Sequence, residues 1–119
     1  MSIPHAVICH IAERNASIEE LDKLIGLLQE QYHFRVLGGP AFDSDKKHLG
    51  TTLAKSVTGD SVNNVFDVVR DELEDIETQG TVRFACRLTV AAIEAISEGI
   101  FHNMNYRGVY NCQTVILHN

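Results

Sequence analysis

The side chains best suited to chemistry in this sequence are concentrated in the stretch Leu37–Gly50, which reads LGGPAFDSDKKHLG. Carboxylates, ammonium groups and an imidazole fall within six residues there, at Asp43, Asp45, Lys46, Lys47 and His48. Such groups can bind an anion or transfer a proton, and the Gly-Gly pair would let the backbone approach a phosphate. The stretch has neither the GxxxxGK[ST] nor the GxGxxG pattern. A polar hairpin tip whose turn is set by Gly and Pro is therefore the alternative interpretation.

Arg83 and Arg87 form a second candidate site for an anion. They lie on the segment Thr81–Leu88, where apolar and polar residues alternate as in a strand, so both arginines share one face. Four residues of strand separate them by roughly 13 Å. They could hold the two ends of a longer anion or pair with acids of another subunit. The alternative is a solvated or interfacial strand face.

The six histidines and three cysteines show no metal-ligand spacing. HExxH, HxH and a Cys-His cluster are all missing, so the sequence predicts neither a metal site nor a cofactor. His10 directly follows Cys9, and adjacent strand residues point to opposite faces, so these two do not form a catalytic dyad. Cys9, Cys86 and Cys112 fall in predicted strands, where a buried Cys behaves as a small hydrophobic residue.

Composition restricts the class of protein. The length of 119 residues suits one α+β domain, residues 1–119, and 45% apolar with 22% charged residues is typical of globular chains. The net charge of −6, from 16 acidic and 10 basic residues, argues against nucleic acid and anionic membranes as partners. An odd cysteine count without CxxC, no signal-peptide pattern and no apolar run near ~20 residues together predict a cytoplasmic protein.

Hydrophobic periodicity predicts the first half of the scaffold. His5–Ile11 is apolar on both faces, as in a central strand. A helix begins at Ser17 with the spacing of a capping box and ends near Tyr32. Phe34–Leu37 is a short strand that Gly38-Gly39-Pro40 should end. Thr51–Val57 pairs with it, which makes Leu37–Gly50 a hairpin tip.

The second half repeats the alternation of helix and strand. The turn Gly59-Asp60-Ser61 precedes a helix with an apolar stripe from Val62 to Ile76, and Gly80 follows as a C-terminal cap. After the strand Thr81–Leu88, the spacing predicts a third helix over Val90–Met104. A last strand covers Tyr110–Leu117.

The element order predicts the α+β class, with a ferredoxin-like βαββαβ sandwich extended by a C-terminal helix and strand. The alternative is an α/β open sheet with helices on both faces. In the sandwich, the second sheet face carries Arg83, Arg87 and mostly small or apolar residues, which are Ala6, Ile8, Thr52, Ala54, Ser56 and Ala85. A face with so few charges tends to be covered, by the third helix or by a second subunit, so we expect self-association.

Three functions are compatible with these patterns. The first is an oligomeric cytoplasmic module that binds a small anionic metabolite at or near a subunit interface, through Arg83, Arg87, Lys46, Lys47 and His48. The second is a small enzyme with His48 or His10 as general base. The third is a protein-interaction or inhibitor module that docks through the acidic helix residues Asp67, Asp71, Glu74 and Asp75. A solvated face that keeps the protein soluble is the alternative to the third.

Overall fold

One antiparallel sheet runs through the part of the chain that the structure, a computed structural model, describes, namely residues 2–76, 83–93 and 110–118. Its spatial order is β2-β3-β1-β4-β5, and every neighbouring pair is antiparallel. The strands are β1 (Ile3–Ile11), β2 (Arg35–Phe42), β3 (His48–Gly59), β4 (Arg83–Ala92) and β5 (Tyr110–His118). The strand with two apolar faces, β1, thus lies at the centre of the sheet.

Two helices, α1 (Ile18–Tyr32) and α2 (Val62–Glu74), connect the strands. Each begins at a serine whose hydroxyl accepts a backbone N–H of the first turn: Ser17 from Glu20 and Ser61 from Asn64, both at 3.1 Å. These caps satisfy donors that a helix start leaves unpaired, and they confirm the predicted starts of both helices. No helix in the described ranges is long and apolar enough to cross a membrane.

Both helices pack on the same face of the sheet. Their buried stripes form one cluster with the inward residues of β1, β3 and β4, and the chain is therefore a small α+β domain, as the sequence predicted. The largest members of this core are Phe66, Phe84, Ile11, Leu21, Leu24, Leu28, Leu53, Leu73 and Leu88. The opposite sheet face, which we call the open face, has neither α1 nor α2 against it.

The predicted end of β2 is wrong. The strand passes through Gly38-Gly39-Pro40 and reaches Phe42, with register shifts against β3. An edge strand tolerates a proline because one of its sides needs no ladder donor. Gly39 has φ +84, and a Cβ there would lie 2.5 Å from the carbonyl oxygen of Gly50. Glycine is therefore what allows the strand to continue, and the hairpin tip shrinks to residues 43–47.

The predicted end of β4 and the start of the third helix are also wrong. β4 continues to Ala92, where it pairs with His5 of β1, because Val90 is buried opposite Val7 in the core. The remainder of the predicted helix, 94–104, lies outside the described residues, as does Gly80. The predicted last strand is present as β5.

Candidate functional site

Three polar residues from three strands meet on the open face. His10 of β1 is opposite Thr52 of β3 on one side and opposite Arg87 of β4 on the other. The neighbours of His10, Cys9 and Ile11, are buried under the helices, so His10 points to the open face. We call His10, Thr52 and Arg87 the polar row. Its histidine and arginine are exposed.

The imidazole of His10 is positioned by its neighbours on β3. Nδ1 lies 2.9 Å from the hydroxyl oxygen of Thr52. The ring rests against Gly50, where a Cβ would come 2.9 Å from Cε1 and 3.3 Å from Nε2. A glycine at position 50 therefore makes room for the ring. With Nδ1 bonded to Thr52, Nε2 is the ring nitrogen that a bound anion would meet.

The open face carries positive charge and no strand carboxylate. None of the five strand sequences contains an Asp or a Glu. Lys55 turns towards the helices, where its ammonium group donates to the carbonyl oxygen of Tyr32 at 3.0 Å and to Glu72 at 3.3 Å. Arg35 and Arg87 are exposed and share the open face by register. An anion arriving there meets no like charge from the sheet.

The hairpin tip uses its acidic group to close its own turn. One oxygen of Asp43 accepts the backbone N–H groups of Asp45 and Lys47, both at 2.9 Å. The other accepts from the Arg14 guanidinium at 2.8 Å. The bond from Lys47, with those from Asp45 and Arg14, holds the pKa of the Asp43 carboxyl below its ordinary value. Lys46 completes the turn with φ 61.

His48 is built into the base of the same hairpin. It is fully buried, and Nδ1 lies 3.0 Å from the carbonyl oxygen of Glu13. A carbonyl only accepts, so Nδ1 carries the proton, and in the neutral ring Nε2 accepts the Thr51 hydroxyl at 2.8 Å. The ring also packs on Phe42, with centroids 5.7 Å apart. Both nitrogens therefore bond within the protein.

The structure separates the residues that the sequence grouped as one ligand site. Lys46 and Lys47 are exposed at the hairpin tip, whereas His48 is buried beside Thr51 on the helix side. Arg87 lies on the open face, so it does not meet His48. Arg83 lies in β4 opposite His118 of β5, and its side chain lies outside the described part.

Sequence reasoning missed the pairing of His10 with Thr52. Alternation along β1 placed His10 on one face, but the partner of a strand residue depends on register. The register that joins positions 10, 52 and 87 is set by packing of three distant segments. Arg35 was missed for the same reason: it lay within the predicted strand Phe34–Leu37, but its place opposite Ala54 on the open face depends on register.

Comparison with protein-family models, curated proteins and solved structures yields no match.

The cysteines in the core offer no nucleophile. Cys9 and Cys86 are free and buried. The hydrogen bond with Cys86 and burial raise the pKa of the Cys9 thiol well above its ordinary value, which disfavours the reactive thiolate. Within the described residues no group of three or more His, Cys, Asp or Glu side chains is arranged to hold a metal ion.

The acidic face of α2 contains its own cation. Arg70 lies 3.2 Å from Asp67 and 3.2 Å from Asp71, and Lys55 reaches Glu72 from the sheet. These pairs neutralise part of the charge that the interaction hypothesis requires. The two pairs of Arg70 are exposed enough that each contributes little to stability.

Proposed function

We propose that the protein is a self-associating module that binds a small anionic metabolite on its open face, at the polar row. The observation that carries this proposal is the alignment of His10, held by Thr52, with Arg87 on a sheet face without strand carboxylates. Cationic groups gathered on one surface of a protein with net charge −6 attract and orient an anion locally.

The chemistry of the polar row fits a carboxylate or a phosphate. A guanidinium group such as that of Arg87 can donate two parallel hydrogen bonds to either. When the Thr52 hydroxyl donates to Nδ1 of His10, the neutral ring carries its proton on Nε2 and can donate to the same anion. In that arrangement the Thr52 hydroxyl and the anion bond to different nitrogens of the same ring.

The fold that we propose for this module is the ferredoxin-like sandwich. The order β2-β3-β1-β4 and the position of both described helices on one face support it. β5 then extends the sheet beside β4. Lys46, Lys47 and Arg83 are proposed as further contacts for a ligand larger than the polar row, and His48 is proposed to hold the hairpin.

Binding is favoured over general-base catalysis. Among the described residues, the hydrogen bonds of His5, His10 and His48 go to backbone carbonyls or threonine hydroxyls. A histidine base is ordinarily oriented by a carboxylate or a similar fixed acceptor near a nucleophile or substrate. The described part of the chain provides no such carboxylate beside these three rings.

Thermal shift and calorimetry with a panel of phosphate monoesters and dicarboxylates test the proposal. A probe present at about 100 times its Kd should stabilise the wild-type protein by roughly 2.7 kcal/mol. Arg87→Ala should weaken binding by about 10-fold or more, since a charge-assisted bond is worth roughly 1.5–3 kcal/mol. Lys23→Ala, which removes an exposed cation of α1, is the matched control and should bind like wild type. No shift with any probe, or equal loss in both variants, would overturn the proposal.

A further inference from the structure

Part of β3 has a partner strand on one side only. On one side, β1 pairs with β3 as far as the C-terminal end of β3, where Ile3 lies opposite Gly59. The described pairing of β2 begins at Arg35 opposite Ala54. Lys55–Gly59 therefore has no described strand on the β2 side, and we call it the free β3 edge. Alternate residues of a strand direct N–H and C=O groups to such a side.

The free β3 edge lacks the devices that protect β2. β2 carries register shifts and Pro40, which discourage pairing with another chain. The free β3 edge is regular against β1 and contains no proline. Its charged residue, Lys55, is folded back onto Tyr32 and Glu72 and cannot repel an approaching strand. Ser56 and Thr58 are exposed.

A depression beside this edge provides space for another strand. Its volume is about 690 Å³. At the edge it is lined by Tyr32, His33, Arg35, Lys55, Ser56 and Val57, and it continues onto the open face at Ala6, Ala54 and Ile93. A neighbouring strand requires about 4.8 Å of separation in the hydrogen-bonding direction. Arg35 is exposed and makes no ion pair with the described residues.

We propose that a second copy of the chain pairs antiparallel with the free β3 edge, about a two-fold axis at Thr58. Self-pairing of this segment sets residue 57 opposite residue 59 of the other copy. The next residue, the partner subunit's Asp60, then lies opposite Ser56, two positions from Ala54, and is therefore the neighbour of Arg35 on the same face. Asp60 accepts from Ser2 with one carboxylate oxygen, which leaves the other for the guanidinium. The symmetric interface thus contains the Arg35–Asp60 ion pair twice.

This pairing joins the two sheets into one. The two-fold axis is perpendicular to the sheet, so the open faces of both copies lie on the same side. Two polar rows then share one continuous surface. The inference deepens the self-association in the proposed function, but it does not depend on anion binding.

Sedimentation over a concentration series, with charge exchange at the interface, tests the inference. An edge contact this short makes a small interface, so we expect a weak dimer with a Kd in about the micromolar range. Arg35→Glu and Asp60→Arg should each raise the dimer Kd by about 10-fold or more. The double variant, which restores the pair with reversed signs, should return to within about 3-fold of wild type. Lys23→Glu makes the same charge change away from the edge and should dimerise like wild type.

Cross-linking provides a second readout on the same axis. Thr58→Cys, at an exposed position, places two thiols opposite each other, and oxidised glutathione should convert the variant into a covalent dimer. Ile18→Cys, at an exposed position of α1, should remain uncross-linked. A monomer at all concentrations, unaffected single variants, or a double variant as weak as the singles would overturn the inference. If the protein is monomeric but still binds an anion, the interface is wrong and the proposed anion site is retained. If it forms the dimer but binds no anion, the anion site is wrong and the interface is retained.

Discussion

The base of the hairpin and the polar row contain similar chemical groups and use them in opposite ways. In the hairpin, Asp43 closes the turn and His48 bonds to Glu13 and Thr51 inside the protein. In the polar row, His10 is held through one nitrogen and is exposed beside Arg87. In the hairpin, polar groups that are close in sequence form hydrogen bonds with one another or with nearby backbone. In the polar row, groups from three separate strands lie side by side on the surface.

Replacing the two histidines in turn should give the largest difference between these regions. His48→Ala removes a buried ring and leaves the Glu13 carbonyl and Thr51 hydroxyl unsatisfied. It should lower the free energy of unfolding by about 2–5 kcal/mol. His10→Ala, at an exposed site, should change it by no more than about 0.5 kcal/mol. Urea unfolding measures both, and equal losses would contradict the assignment of His48 to the fold.

The two glycines of β2 should differ next most strongly. Gly39→Ala imposes a side chain at φ +84 against the Gly50 carbonyl, and should cost about 1–3 kcal/mol of unfolding free energy. Gly38→Ala is the matched control, because a Cβ at that position meets nothing within 4 Å. Chemical denaturation of both variants measures the difference. An equally large loss of unfolding free energy for Gly38→Ala would contradict the special backbone conformation assigned to Gly39.

Gly50→Ala should act on the polar row more than on stability. The new methyl group would displace the His10 ring, because a Cβ built on Gly50 lies only 2.9 Å from Cε1 of His10. We expect a loss of anion affinity of about 3- to 10-fold, measured by calorimetry with the tightest probe of the panel. Binding unchanged from wild type would mean that the orientation of His10 is irrelevant to the ligand.

The smallest effect should come from Asp43 at acidic pH. Hydrogen bonds from Lys47, Asp45 and Arg14 lower its folded pKa below the ordinary value of 3.8. Its contribution is therefore complete above that value and is lost as pH falls through the folded pKa. Asp43→Asn should reduce the dependence of the unfolding midpoint on pH below the ordinary value of 3.8. Asp45→Asn is the control and should retain it.

The sequence predicted the elements better than their ends. Caps at Ser17 and Ser61, and the apolar stripes behind them, are local signals, so both helices were found. The ends of β2 and β4 were misjudged because an edge position tolerates Pro40 and because Val90 packs opposite Val7. Those are tertiary effects that no local window contains.

The candidate site was harder to predict than the fold. Arg87 was identified by its alternation with buried residues, but its neighbour in space is His10 rather than the chemically dense segment around His48. Composition marks groups that can react or bind. Only register shows which of them face a ligand.

The most direct test of anion binding at the polar row follows the two histidines in one NMR titration. The imidazole signals of the wild-type protein are recorded as the tightest-binding phosphate monoester or dicarboxylate is added, with assignments from His10→Gln and His48→Gln. We expect the His10 Cε1–H signal to shift saturably while that of His48 stays in place, and we expect Arg87→Ala to require about 10-fold more ligand, or more, for the same shift. A saturable shift at His48 with none at His10 would contradict the proposed anion site.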